Sequence, residues 1–175
     1  MKQFIFSLCI ICIFSCKENA GKTEHHDIGD TTLQKERIGI MLDSFNIAAA
    51  KADYQGYFNF FTPNASFIGT DALENWNKDA FMIWAKPYFD KKATWNFTSL
   101  QRNIYFGQSP DIAWFDELLN THMKICRGSG VVVKQNNTWK VQQYVLSMTV
   151  PNEKITEVLK IKSPIEDSLI KTLVK

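Results

Sequence analysis

The sequence predicts an α+β domain in which helices come first, an antiparallel sheet of long strands follows, and helix returns at the end. Three observations carry that reading. Residues 30–52 place Leu33, Ile38, Met41, Leu42, Phe45, Ala48, Ala49 and Ala52 at spacings of mostly three or four, the period of an amphipathic helix. Residues 94–150 fall into four runs rich in aromatic and β-branched side chains, divided by turn sequences. Beyond Pro151 the apolar residues return to helical spacing.

In chain order, the first segment reads as a targeting sequence. Lys2 supplies a positive charge, and residues 4–14 are apolar apart from Ser7. A run of about 11 residues falls well short of the ~20 that cross a bilayer core, so it addresses the chain rather than spanning a membrane. It closes with Ile13-Phe14-Ser15-Cys16, which resembles the lipobox of bacterial lipoproteins: an aliphatic residue, then Phe14 at a position where it is less usual, a small residue and cysteine. The resemblance implies cleavage before Cys16, diacylglycerol on its thiol and acylation of the new amino group. Each buried methylene then adds about 0.8 kcal/mol of anchoring. Residues 1–15 are accordingly read as a signal peptide and Cys16 as the lipidation site. Residues 16–29, polar and without an apolar period, read as a flexible tether. The expected location is that of an exported lipoprotein on the outer membrane, facing the periplasm, since Lys17 rather than aspartate follows Cys16.

The domain proper is expected over residues 30–150, with a helical extension over 151–175. Asp30 or Thr31 caps the first helix. A short second helix covers residues 54–61 and ends at the turn sequence Thr62-Pro63-Asn64; a short strand follows over 66–69. Asn77 caps a third helix that runs through Ala85 until Pro87 stops it. Strands are expected over residues 94–106, 112–122, 124–134 and 139–150. The turns between them are Gly107-Gln108-Ser109-Pro110-Asp111 and Gln135-Asn136-Asn137. Ser163-Pro164-Ile165-Glu166 reads as a capping box opening the last helix. Its apolar face, Ile165, Leu169, Ile170 and Leu173, should dock on the domain or on a partner.

Composition narrows the function classes. Hydrophobic residues at 45% and charged ones at 22% are globular values. A formal charge of +2 with dispersed basic residues gives no electrostatic case for nucleic acid. Cys9 and Cys12 leave with the signal and Cys16 is acylated, so Cys126 alone remains and reads as buried packing, without a disulfide. No cofactor or metal is expected. His25-His26, beside Glu24 and Asp27 in the tether, reads as solvated, and His122 falls near a predicted turn. Arg127-Gly128-Ser129-Gly130 lacks the lysine and the strand-to-helix context of a phosphate loop.

Two stretches carry a family resemblance. One runs from Asp79-Ala80-Phe81 to Trp84-Ala85-Lys86-Pro87-Tyr88-Phe89. The other starts at Ile112-Ala113-Trp114-Phe115-Asp116-Glu117 and continues through Arg127-Gly128-Ser129-Gly130 to Trp139-Lys140-Val141-Gln142-Gln143-Tyr144. Together they resemble the SnoaL-like domains of the nuclear transport factor 2-like, cystatin-like superfamily, over about residues 31–150. The resemblance implies a cone, in which a strongly curved antiparallel sheet wraps a long helix and leaves a pocket at its open end. Its members include isomerases, cyclases and dehydratases as well as binding and dimerising modules, so the fold alone does not choose a function.

The residues themselves add candidates. A hairpin of the strands at 112–122 and 124–134 puts Glu117 across from Arg127, with Asp116 on the other face. One of these two acids points into the cone. An acid there would be poorly solvated, with the raised pKa a general base needs. Trp84, Tyr88, Trp95, Trp114 and Tyr144 are candidate pocket aromatics, with Arg127 or Gln143 orienting an oxygen-bearing ligand. The first expectation is a non-catalytic domain, tethered to a lipid membrane through Cys16, that holds a small apolar or amphipathic molecule. The second is a proton-transfer enzyme using Asp116 or Glu117. The third is an assembly module that forms a homodimer through the sheet's outer face.

Overall fold

A computed structural model describes residues 28–174. The expected signal peptide, Cys16, His25-His26 and nearly all of the expected tether lie outside the described residues. Helix α1 (Ile28–Ala50) is followed by α2 (Tyr54–Asn59), β1 (Phe61–Ile68), β2 (Asn75–Asn77), α3 (Lys78–Asp90), β3 (Thr98–Phe106), β4 (Ile112–Thr121), β5 (Lys124–Gln135), β6 (Thr138–Met148) and α4 (Ile155–Leu173). Six strands form one curved sheet in the order β2-β1-β6-β5-β4-β3.

Strands β3 to β6 are an antiparallel meander because short turns join them. Asn136 and Asn137 both adopt positive φ, 48° and 61°, between the paired ends Gln135 and Thr138. That is the conformation a two-residue hairpin turn requires, and asparagine tolerates it. The sheet is not wholly antiparallel: β1 lies parallel to β6. Helix α3 and the meander intervene between them, a connection long enough to bring the chain back in the same direction.

Alternation along the strands builds one core. Helix α1 buries Ile38, Met41, Leu42, Phe45, Ala48 and Ala49 against the inner sheet face, where Phe115, Leu119, Cys126, Val132, Val141 and Tyr144 point. Leu33, counted in the helical period, is instead exposed. Gln34 ties the start of α1 to the sheet by accepting the Trp139 indole N–H at 3.0 Å.

Several boundaries differ from expectation, beginning with α1, which starts at Ile28, ahead of the Asp30 or Thr31 expected to cap it, and β3, which starts at Thr98 rather than residue 94. Thr62-Pro63-Asn64 does not end an element but lies inside β1, where the pairing with β6 is irregular between Phe61 and Ser66. Proline costs little at such a break because no ladder bond is asked of its nitrogen. The break is pinned by Gln142, the extra residue of a bulge in β6. Its amide accepts from the Thr62 hydroxyl at 2.9 Å and donates to the Asn64 carbonyl at 3.0 Å. Helix α3 starts where expected, with the Asn77 side chain accepting from the Ala80 N–H, but runs through Pro87 to Asp90. The last helix begins at Ile155, and Ser163 does not cap it: its hydroxyl bonds back to the Leu159 carbonyl at 2.7 Å within one continuous helix. None of its side chains is buried, so it does not dock on the domain.

Candidate functional site

The structure separates the two candidate acids. Asp116 lies on the outer sheet face, half-exposed, 3.4 Å from Arg127 and accepting from Asn103 at 3.2 Å. Glu117 lies on the inner face with its side chain wholly buried. The register sets Glu117 opposite Gly128 and Leu118 opposite Arg127. Arg127 is therefore not the partner of Glu117 and not a pocket residue. The hairpin turns one position away from where the sequence centred it.

Glu117 is instead clasped by Arg102, its neighbour on β3. The guanidinium reaches one carboxylate oxygen from Nε at 2.9 Å and from Nη2 at 2.8 Å. Tyr144 donates to the other oxygen at 3.1 Å. The remaining donors of Arg102 go to the Gly39 carbonyl at 3.0 Å and to Asp43 at 2.8 Å, both on α1. Burial alone would lower the pKa of Arg102, but Glu117 and Asp43 outweigh it and hold the guanidinium charged. Burial, reinforced by the Glu117 charge, pushes the Tyr144 hydroxyl well above the ordinary tyrosine range. Gly128 makes the arrangement possible, since a Cβ there would stand 2.5 Å from the Tyr144 oxygen and 3.0 Å from Glu117 Cγ.

Neither Glu117 nor Tyr144 lines a cavity described below. The hollow between α1, α2 and the sheet is filled by Phe45, Tyr57, Phe58, Phe61, Phe81 and Phe115, with rings in contact. The deep chamber expected beside the acids is absent from the described residues because aromatic side chains occupy it. A shallow cleft of about 460 Å³ runs between α1 and β3 past Lys35, Gly39 and Arg102. Arg102 directs four of its five N–H donors elsewhere, to Glu117, Gly39 and Asp43.

A pocket remains at the other end, between α3 and the β4–β5 turn. It has a volume of about 150 Å³ and is lined by Trp76, Trp84, Trp95, Phe67, Phe81 and Phe97, with Glu74, His122 and Met123 among the residues around it. The aromatic rings hold one another in place. Trp76 and Trp84 lie 4.8 Å apart, Trp84 and Trp95 6.4 Å, and Phe81 packs against all three. Glu74 is positioned by the Asp71 N–H, which donates to its carboxylate at 3.2 Å. The same carboxylate lies over Gly69, where a Cβ would stand 2.1 Å from it.

Of the aromatic residues singled out from the sequence, Trp84 and Trp95 line this pocket. The others lie elsewhere. Tyr88 is exposed and leans on Trp84 at 4.9 Å. Trp114 is 46% exposed on the outer sheet face, stacked on Tyr105. Tyr144 is buried on Glu117, and Gln143, paired with Ser66 and Val131, lines neither cavity. Glu74 and Trp76 were missed because they belong to a short strand and a turn with no apolar period. Arg102 was missed although a lone arginine opposite an acid is a cross-strand signal. Among the described residues no group of three or more histidine, cysteine or acidic side chains could hold a metal ion.

Residues 38–151 match the family model of the SnoaL-like domain. The chain belongs to the SnoaL-like domain family. Solved structures with the nuclear transport factor 2-like, cystatin-like fold superpose on this SnoaL-like domain. One is a protein of unknown function from Pseudomonas putida, at 14% identity over 70% of this chain and 92% of that one, with a TM-score of 0.59. Another is an uncharacterised protein from Caulobacter vibrioides, at 10% identity over 73% and 97%, with a TM-score of 0.58. A third is named a putative scytalone dehydratase, from Novosphingobium aromaticivorans, at 12% identity over 70% and 88%, with a TM-score of 0.57. At these identities the likeness is one of fold. No curated protein matches the chain.

Proposed function

We propose that this SnoaL-like domain is the binding part of a lipid-anchored exported protein, and that it holds a small apolar or amphipathic molecule in the pocket between α3 and the β4–β5 turn. The observation that carries the reading is the half-open aromatic pocket of about 150 Å³, the one concave apolar surface among the cavities described. Its size admits a ligand, or a ligand end, of a few heavy atoms rather than a multi-ring molecule, since drug-sized sites span ~300–1,000 Å³. The anchor reading rests on Ile13-Phe14-Ser15-Cys16. The general-base reading finds no support in the geometry, because Asp116 faces outward and Glu117 is sealed behind Arg102 and Tyr144.

A thermal-shift screen of small molecules on the wild-type chain and on Trp84→Leu tests the pocket. Hits that stabilise wild type and lose their effect in the variant are expected; hits insensitive to Trp84, or none at all, would reject the pocket. For the anchor, mass spectrometry and membrane fractionation of Cys16→Ala should show loss of the acyl mass and release from membranes. A second reading, homodimerisation through the outer sheet face, is favoured by exposed Tyr105, Ile112 and Trp114 on neighbouring strands. In sedimentation velocity, a dimer that Trp114→Glu converts to monomer would support it, and a monomeric wild type would end it.

A further inference from the structure

The pocket's walls are aromatic, yet the charge at its edge has a single sign. Glu74 is the one carboxylate in its lining, and neither lysine nor arginine is among the lining residues. The carboxylate is fixed in place by the Asp71 N–H and by the bare Cα of Gly69, so its charge stays at the rim. An aromatic ring presents its negative face to a cation, and tryptophan does so best. Three indoles in a chain of contacts, backed by Phe67 and Phe81, line the pocket. A purely apolar ligand would gain nothing from Glu74. A primary ammonium ion would have to shed a tightly bound hydration shell, whereas an alkylated one is weakly hydrated and offers methyl groups to the rings.

Volume points the same way. About 150 Å³ is the space of roughly five waters at ~30 Å³ each. A tetraalkylammonium head with four methyl or methylene groups around nitrogen also has about five heavy atoms.

Building on the small-ligand reading above, we propose that the pocket takes a compact quaternary ammonium head, its methyl groups against Trp76, Trp84 and Trp95 and its charge balanced by Glu74. Intrinsic tryptophan fluorescence of the full chain tests it with two probes of nearly equal shape, choline and its uncharged isostere 3,3-dimethylbutan-1-ol. Choline is expected to bind about tenfold more tightly than the alcohol. Glu74→Gln should reduce that preference, the indoles supplying the remainder, and Trp84→Leu should weaken binding of both probes. Equal binding of the two probes, or a preference for the alcohol, would overturn the ammonium assignment and leave the apolar-ligand reading standing. Saturable binding of neither would overturn both. A free choline-like ion and a lipid headgroup carry the same chemistry, and dihexanoylphosphatidylcholine below its micelle concentration separates them. Tighter binding than choline assigns the headgroup, and equal or weaker binding assigns the free ion.

Discussion

Glu117 shows what a buried charge requires of its neighbours. Each of its oxygens has a donor, from Arg102 or Tyr144, and Arg102 in turn spends its other donors on α1. The interaction is stabilising only as a set, because removing one partner leaves an uncompensated charge in the interior. Arg102→Ala is therefore expected to cost about 3–5 kcal/mol. Arg102→Met combined with Glu117→Leu should recover much of that loss, as read from urea midpoints, and an additive double variant would show that the ion pair is not coupled. Tyr57 is the opposite case. Its hydroxyl is buried without a hydrogen-bond partner, the nearby Trp95 indole giving only a weak pull toward ionisation. Tyr57→Phe removes that orphan while keeping the ring stacked on Phe45 at 4.6 Å. A gain of about 1 kcal/mol in unfolding free energy is expected; a loss would mean that the hydroxyl is satisfied in solution, by water or by the indole.

Strands and helices were legible to different degrees. The meander could be read because its strands are long runs rich in aromatic and β-branched residues, β4 alternating over its whole length, and its turns carry residues suited to them, Asn136-Asn137 above all. Only the second half of β1 could be, as the strand expected over 66–69, because Pro63 signals a turn locally and only the bulge at Gln142 makes it harmless in a strand. The same holds for Ser163-Pro164-Ile165-Glu166, a good start signal overridden by a helix already running from Ile155. Helix α4 has an apolar side, including Ile161 at 74% and Ile165 at 72% exposed, that none of the described residues covers. Its removal should therefore leave the domain's Tm within about 2 °C, since unburied residues contribute little. Differential scanning fluorimetry of a chain ending at Thr149 checks this, and a drop of 5 °C or more would show that α4 packs on the domain in solution.

At the scale of the whole molecule, the core has a predictable response to alkali. Burial raises the pKa of both Tyr57 and Tyr144 above the ordinary value near 10, and the Glu117 charge adds to the rise at Tyr144. A group whose pKa is raised by folding lends stability that is complete below its unfolded pKa and is lost as pH climbs beyond it. The unfolded chain binds fewer protons there, and stability falls by about 1.4 kcal/mol per pH unit for each such tyrosine. Urea midpoints at pH 9 and pH 11 should thus separate more in wild type than in the Tyr57→Phe, Tyr144→Phe double variant. Equal separation would assign alkaline loss to other groups.

Much of the molecule follows from local pattern. Helical spacing set α1 inward, and alternation set Glu117 on one sheet face and Asp116 on the other. The resemblance of the segment ending at Cys16 to a lipobox is legible in chain order, independent of any fold. The tertiary structure alone decided which face was the inner one, that Arg102 rather than Arg127 neutralises Glu117, and that Trp76 and Glu74 from a turn join Trp84 and Trp95. Those outcomes depend on register, and a shift of one residue exchanges every side chain between core and solvent. They depend equally on how completely aromatic volume fills the space under a curved sheet, a sum over the packed interior that no short stretch of sequence contains.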